Sequence, residues 1–219
     1  TENIKNTVNL INVLYEKGLK RFISVGSVSE YGDRAGALKE TDVPLGFLNN
    51  YVKGKIATSE YGLKATKKSN QIFIHIRLFY TYGAGQTHNS LINQLYKAYV
   101  SGDDINLSPC DQFRDYIHIS QAIKGVEKIL HLEKSGIINL SGGRMIQLKE
   151  FVQIFWKELS ANPDKLIFGA HERPSFEQNQ PKAYADLTNL KSFTNWSPSL
   201  SIKDGIRQTI NELQKINLK

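Results

Sequence analysis

The chain has 219 residues, 40% apolar and 22% charged, the make-up of a folded globular protein of one domain or two closely associated ones. Its net charge of +7 comes from scattered lysines, of which only the trio Lys64, Lys67 and Lys68 stands close together, at the end of an expected helix, so neither nucleic acid nor a membrane is expected as a partner. No apolar run approaches the roughly 18 residues that cross a bilayer, and the opening Thr1-Glu2-Asn3-Ile4-Lys5 lacks a secretory layout; with Cys110 as the single cysteine, a cytoplasmic protein without disulfide or metal site is expected.

Ile4, Val8, Ile11 and Leu14 recur at helical spacing, and Gly18 stands where a helix end favours a left-handed residue, which predicts a helix over residues 2–17. Arg21-Phe22-Ile23-Ser24-Val25, short, apolar and bounded by Gly26, predicts a buried strand of a parallel sheet. Residues 27–50 are rich in Gly, Pro, Asn, Asp and Ser and read as one long loop, a length at which function tends to collect. A helix over 50–67 then leads into Gln71 to Phe79, the strongest strand signal in the chain. Helix, strand, helix, strand in this order predicts an α/β sheet of parallel strands whose ligand lies beyond their carboxyl ends, where Ser27 and Tyr80 to Gly85 fall.

After Gly85 the pattern loosens. Helices are expected over 90–100, 121–132, 148–159 and 202–215, and strands over 105–107, 116–119, 137–140 and 166–168. This half reads as a smaller α+β lobe leaning on the sheet.

Tyr51 and Lys55, four residues apart, share one face of the second helix. An ammonium one turn from a phenol favours the phenolate, which suits the phenol to exchange a proton with a hydroxyl. The spacing alone is weak, since a chain with 10 tyrosines offers such a pair by chance. Ser27 adds context: it follows a buried strand, and the loop after it can return the chain to set its hydroxyl beside the phenol and orient a reacting oxygen. The alternative for Ser27 is a turn cap.

These blocks resemble a known family. The run Arg21 to Gly32, the pair Tyr51-x-x-x-Lys55 and the run Arg77-Leu78-Phe79-Tyr80-Thr81-Tyr82-Gly83 are similar to extended short-chain dehydrogenase/reductases of the NAD-dependent epimerase/dehydratase type, which modify nucleotide sugars. Gln112 to Ile119, Asn139 to Gly143 and Ala185 to Leu190 with Asn195-Trp196-Ser197-Pro198 agree in order, so the likeness runs from about Asn3 to Ile210.

The resemblance implies an α/β fold, a partial Rossmann-like doubly wound parallel sheet with a smaller α+β substrate lobe. Residues 1–86 would be the C-terminal part of a dinucleotide-binding domain and 87–219 mainly the lobe, with segments returning to the sheet. It implies NAD or NADP as cofactor and a nucleoside-diphosphate sugar as substrate. Tyr51 would be the acid/base, Lys55 would hold the nicotinamide ribose, and Ser27 would bind the sugar oxygen. Arg114 would meet the substrate diphosphate, unless it pairs with Asp115, and Arg173 would be a second phosphate ligand. A homodimer through the helices over 2–17 and 50–67 is a further implication.

The departures are informative as well. Val28 and Ser29 stand where the 4,6-dehydratase branch carries Asp-Glu, which argues against dehydration. Tyr80 stands where many members use asparagine on the diphosphate, which points to a sub-branch such as 4-ketoreductases. No glycine-rich strand-turn-helix for the cofactor pyrophosphate is present, so about 70 to 90 residues of an ordinary member are expected to lie outside this chain. Epimerisation is the expected reaction, with ketone reduction or alcohol oxidation as the alternative and a non-catalytic cofactor sensor or scaffold as the rival from another class.

Overall fold

The computed structural model describes residues 2–67, 70–173 and 181–217. Lys68 of the basic cluster, and residues 174–180 after Arg173, lie outside the described residues. In chain order the elements are α1 (Glu2–Glu16), β1 (Arg21–Ser27), β2 (Gly36–Leu38), α2 (Asn50–Thr66), β3 (Ile72–Leu78), β4 (Tyr80–Tyr82) and α3 (Leu91–Ser101). There follow β5 (Ile105–Leu107), β6 (Phe113–His118), α4 (Ile119–Ile129), β7 (Gly136–Leu140), β8 (Met145–Gln147) and α5 (Leu148–Glu158). The chain closes with β9 (Leu166–Phe168), β10 (Ala183–Ala185), α6 (Thr188–Thr194) and α7 (Ile202–Asn217).

β1, β3 and β7 form a parallel sheet in that order. Alternation along β3 serves both of its faces. Phe73 packs with Ile11, Tyr15 and Phe22 beneath α1 and α2, whereas Ile74 and Ile76 join Ile138, Leu140, Ala122, Ile129 and Leu190 on the side of α4 and α6. Helices therefore cover both faces, the doubly wound arrangement that parallel crossovers require. A larger apolar core, with Tyr82, Leu95, Phe151, Phe155, Trp156 and Ile206, gathers α3, α5 and α7 around β4, β6 and β8.

Several expected boundaries move. The strand expected over 116–119 starts at Phe113 and stops at His118, because His118 Nδ1 accepts the N–H of Ser120 at 3.3 Å and caps α4 one residue later. The helix expected to reach residue 132 ends at Ile129. The stretch 27–50 is not all loop: Val28–Tyr31 winds into a 3-10 turn, and β2 pairs in parallel with the distant β10. A three-residue strand of Gly36-Ala37-Leu38 is too short to show alternation.

α2 lies against the sheet at Gly62, where a Cβ would come within 2.3 Å of three Phe73 ring atoms, and Phe73 is fully buried. Gly62→Ala normally favours a helix by about 1 kcal/mol. Here overpacking is expected to reverse the sign and destabilise by roughly 1–3 kcal/mol. Urea denaturation of the complete protein, compared with Gly54→Ala on the same helix, measures it; at Gly54 a Cβ would meet only Ile4, at 3.8 Å.

Candidate active site

β1 ends at Ser27, whose backbone is extended (φ −149°, ψ 151°) and which caps the 3-10 turn. Its Oγ accepts the N–H of Ser29 at 3.2 Å, and its own N–H donates to Glu30 Oε1 at 2.8 Å. Ser27 thus caps a turn, and the cap itself fixes where its side chain stands.

α2 begins with Asn49 as N-cap, its Oδ1 accepting the N–H of Val52 at 3.0 Å, so Tyr51 lies in the first helical turn. Tyr51 is 60% exposed. One turn on, Lys55 Nζ donates to Val25 O at 2.7 Å and sits 5.7 Å from the centre of the Tyr51 ring, within reach of cation–π attraction. The ammonium therefore spans from the helix to the carboxyl end of β1, two residues before Ser27. Lys55 and Tyr51 line a groove of about 560 Å³ with Ile4, Thr7, Ser24 and Thr58. The structure brings Lys55 to Tyr51 and ties both to the strand that ends in Ser27.

The other predicted residues sit apart from this groove. Tyr80, on β4, lines a second pocket of about 350 Å³ with Val28, Ser29, Arg34, Phe47 and Phe113. Arg114 is only 5% exposed, and its guanidinium stacks 4.6 Å from the centre of the Tyr80 ring. Arg114 Nη1 also donates to Phe113 O at 3.1 Å. Asp115, next along β6, has its carboxylate on the N–H groups of Ala185, Gly143 and Arg144 at 2.9, 3.2 and 3.3 Å. Arg173 Nε lies 3.2 Å from Asp111 Oδ1, an exposed carboxylate.

The sequence reading did not single out the polar groups behind Ser27. Glu30 and His75 are fully buried, and Arg77 nearly so. Glu30 standing three residues after Ser27 is a capping-box spacing and was the available signal. Among the described residues no group of His, Cys, Asp and Glu is placed to hold a metal ion, and no helix is long and apolar enough to cross a membrane.

The residues beside the groove suit one end of a nicotinamide dinucleotide. Lys55 keeps donors beyond the one given to Val25 O, and the hydroxyl groups of Ser24 and Thr58 stand in the same wall. A parallel α/β sheet with helices on both faces, and a Tyr-x-x-x-Lys helix docked at the carboxyl end of its strand, defines a dinucleotide-type fold of the short-chain dehydrogenase class. Residues 1–141 match the model of the NAD dependent epimerase/dehydratase family, and the chain belongs to that family.

Its similarity to individual members is distant. It is 24% identical over 219 residues to a UDP-glucuronate 4-epimerase of Thermodesulfobacterium geofontis, which covers 95% of this chain and 64% of the relative. The chain thus spans about two thirds of the length of such a relative. Among solved structures, MoeE5 in complex with UDP-glucuronic acid and NAD superposes with a TM-score of 0.83 at 21% identity, over 98% of this chain and 71% of that one. RMD from Pseudomonas aeruginosa complexed with NADPH gives 0.85 at 19% identity, over 98% and 73%. At such identities the structural likeness establishes the fold.

Burial pushes the Asp115 carboxyl up to about 6, offset only in part by the N–H groups of Ala185, Arg144 and Gly143 and by Ser141. The folded state therefore holds this proton after the unfolded chain has released it. The stability from this group is complete below about pH 4 and is lost as pH rises to about 6, on the order of 3 kcal/mol in all. Asp115→Asn should remove that fall. Denaturation midpoints of both proteins across this pH range measure the difference in slope.

Proposed function

We propose that the complete protein carrying this chain uses NAD or NADP to epimerise a nucleoside-diphosphate sugar through a transient ketone. The observation that carries the reading is Lys55 Nζ held on Val25 O and over the Tyr51 ring at the strand end that presents Ser27. Membership of the NAD dependent epimerase/dehydratase family supports it, as do relatives named for UDP-sugar epimerisation.

A bound nicotinamide supplies the hydride acceptor and, afterwards, the hydride donor. As hydride leaves the sugar carbon, Tyr51 takes the proton of the hydroxyl on that carbon, and the carbon–oxygen bond becomes a carbonyl. The Ser27 hydroxyl orients that oxygen, while Lys55 holds the cofactor ribose beside the Tyr51 ring. If the ketone turns before hydride returns to its other face, Tyr51 gives the proton back and the hydroxyl is inverted. If the ketone leaves or enters free, the same residues perform dehydrogenation or reduction. Tyr80 supports that second reading: it stands where many members of the family place an asparagine on the diphosphate, with its ring centre 4.6 Å from the Arg114 guanidinium.

The pocket lined by Val28, Ser29, Arg34, Phe47, Tyr80 and Phe113 is proposed to take the sugar nucleotide, with Arg114 and Arg173 as phosphate ligands once Asp111 releases Arg173. A second copy of the chain is proposed to pack on α1 and α2, where Leu10 and Val13 are each 51% exposed. Leu10→Glu with Val13→Glu should then yield a monomer in sedimentation of the complete protein, against a dimer for the unmodified one.

Nicotinamide absorbance, followed with the complete protein and a panel of 4-hydroxy and 4-keto nucleotide sugars, tests the chemistry. Tyr51→Phe should lower kcat by about 10²–10⁴-fold. Silence of the unmodified protein across the panel would favour a cofactor sensor instead. Release of ketone without inverted sugar would select the dehydrogenase reading.

A further inference from the structure

Behind Ser27 lies a buried charged cluster that the proposed chemistry does not use. Glu30 Oε1 accepts the N–H of Ser27 at 2.8 Å and lies 3.0 Å from His75 Nε2, while Oε2 takes Arg77 Nε at 3.1 Å. Arg77 is braced in turn, its guanidinium 4.4 Å from the centre of the Tyr31 ring and its Nη1 donating to Glu40 O at 3.2 Å. His75 and Arg77 stand two apart on β3 and so share one face of that strand. The carboxylate is thereby fixed to the strand next to β1 as well as to the backbone of Ser27.

Stability alone is a poor account of such a cluster. Taking a carboxylate out of water costs several kcal/mol, and an apolar side chain of similar volume often replaces a buried ion pair without loss. What an apolar replacement cannot do is hold the Ser27 amide. Space confirms how tightly the group is set: a Cβ on Gly26 would lie 2.0 Å from Glu30 Oε1 and 2.2 Å from His75 Nε2.

We propose that Glu30 is a positioning residue: clamped by His75 and Arg77, it fixes the Ser27 backbone so that the Ser27 hydroxyl faces the oxygen on which Tyr51 acts. This rests on the reading of Ser27 and Tyr51 as the proton-transfer site. Glu30 itself touches no substrate; it acts through Ser27.

A double-mutant cycle in the complete protein tests the proposal, with Ser27→Ala, Glu30→Leu, which removes the acceptor of the Ser27 N–H, and the double variant compared in single-turnover reactions. Glu30→Leu is expected to lower the turnover rate about tenfold or more while KM moves less than about threefold, and to have no further effect once Ser27 is alanine. His75→Gln, which loosens the clamp more gently, should move the rate in the same direction by a smaller factor. Rates that fall by the same factor with and without the Ser27 hydroxyl would overturn the proposal, as would an unchanged rate in Glu30→Leu. Loss of folded protein in both Glu30→Leu and His75→Gln, read by circular dichroism, would make the cluster structural and overturn it too. Absence of turnover in the unmodified protein would overturn the underlying reading of Tyr51, a result distinct from turnover with multiplying effects.

Discussion

The in-register parallel pairing of β1, β3 and β7 sets the level at which everything else happens. Ser27 stands opposite Leu78, and Leu78 opposite Leu140, so the three strands finish together. Parallel strands need a crossing after each one, which places helices on both faces and lets the loops that follow the strands collect along one edge. The 3-10 turn after Ser27, Tyr80 after β3 and Ser141 after β7 all belong to that edge. α2 rests on the sheet through Gly62 and Phe73, and Lys55 on Val25 O fastens the end that carries Tyr51.

The edge is held by polar bonds as well as by the apolar cluster of Tyr31, Leu38, Phe79 and Ala185. Tyr31 donates to Asn139 Oδ1 at 2.7 Å, and Asn139 Nδ2 donates to Leu38 O at 2.8 Å. Glu40 takes the N–H of Asn139 through one oxygen and the amide of Asn189 through the other, which joins β7, the stretch after β2 and α6. Partners of this kind suit a segment with little apolar surface of its own to bury, and Val43, Leu45 and Phe47 further along it remain exposed. A loop tied at its base and open at its tip can border a pocket without collapsing into it.

Much of the fold was legible in the sequence because α1 carries helical spacing and β1 and β3 are apolar runs: these elements, and α2 between them, stand within a few residues of their expected bounds. β2, β4, β8 and β10 were not foreseen. Each has three residues, as have β5 and β9, which the sequence did mark, and their pairings join distant parts of the chain. The candidate site divides in the same way. Lys55 and Tyr51 sit together because the helix spacing that suggested them is local. The surroundings of Arg114 and Arg173 depend on tertiary partners, Tyr80 and Asp111, which spacing does not encode. His75 and Arg77 left a faint trace, polar residues two apart in an otherwise apolar strand.

The crowding at Gly26 reaches beyond this molecule. The Glu30 carboxylate and the His75 imidazole fill the space that any side chain at position 26 would enter. The dependence runs one way: a chain that keeps the acid at 30 and the imidazole at 75 must keep the glycine at 26, whereas the glycine by itself demands neither.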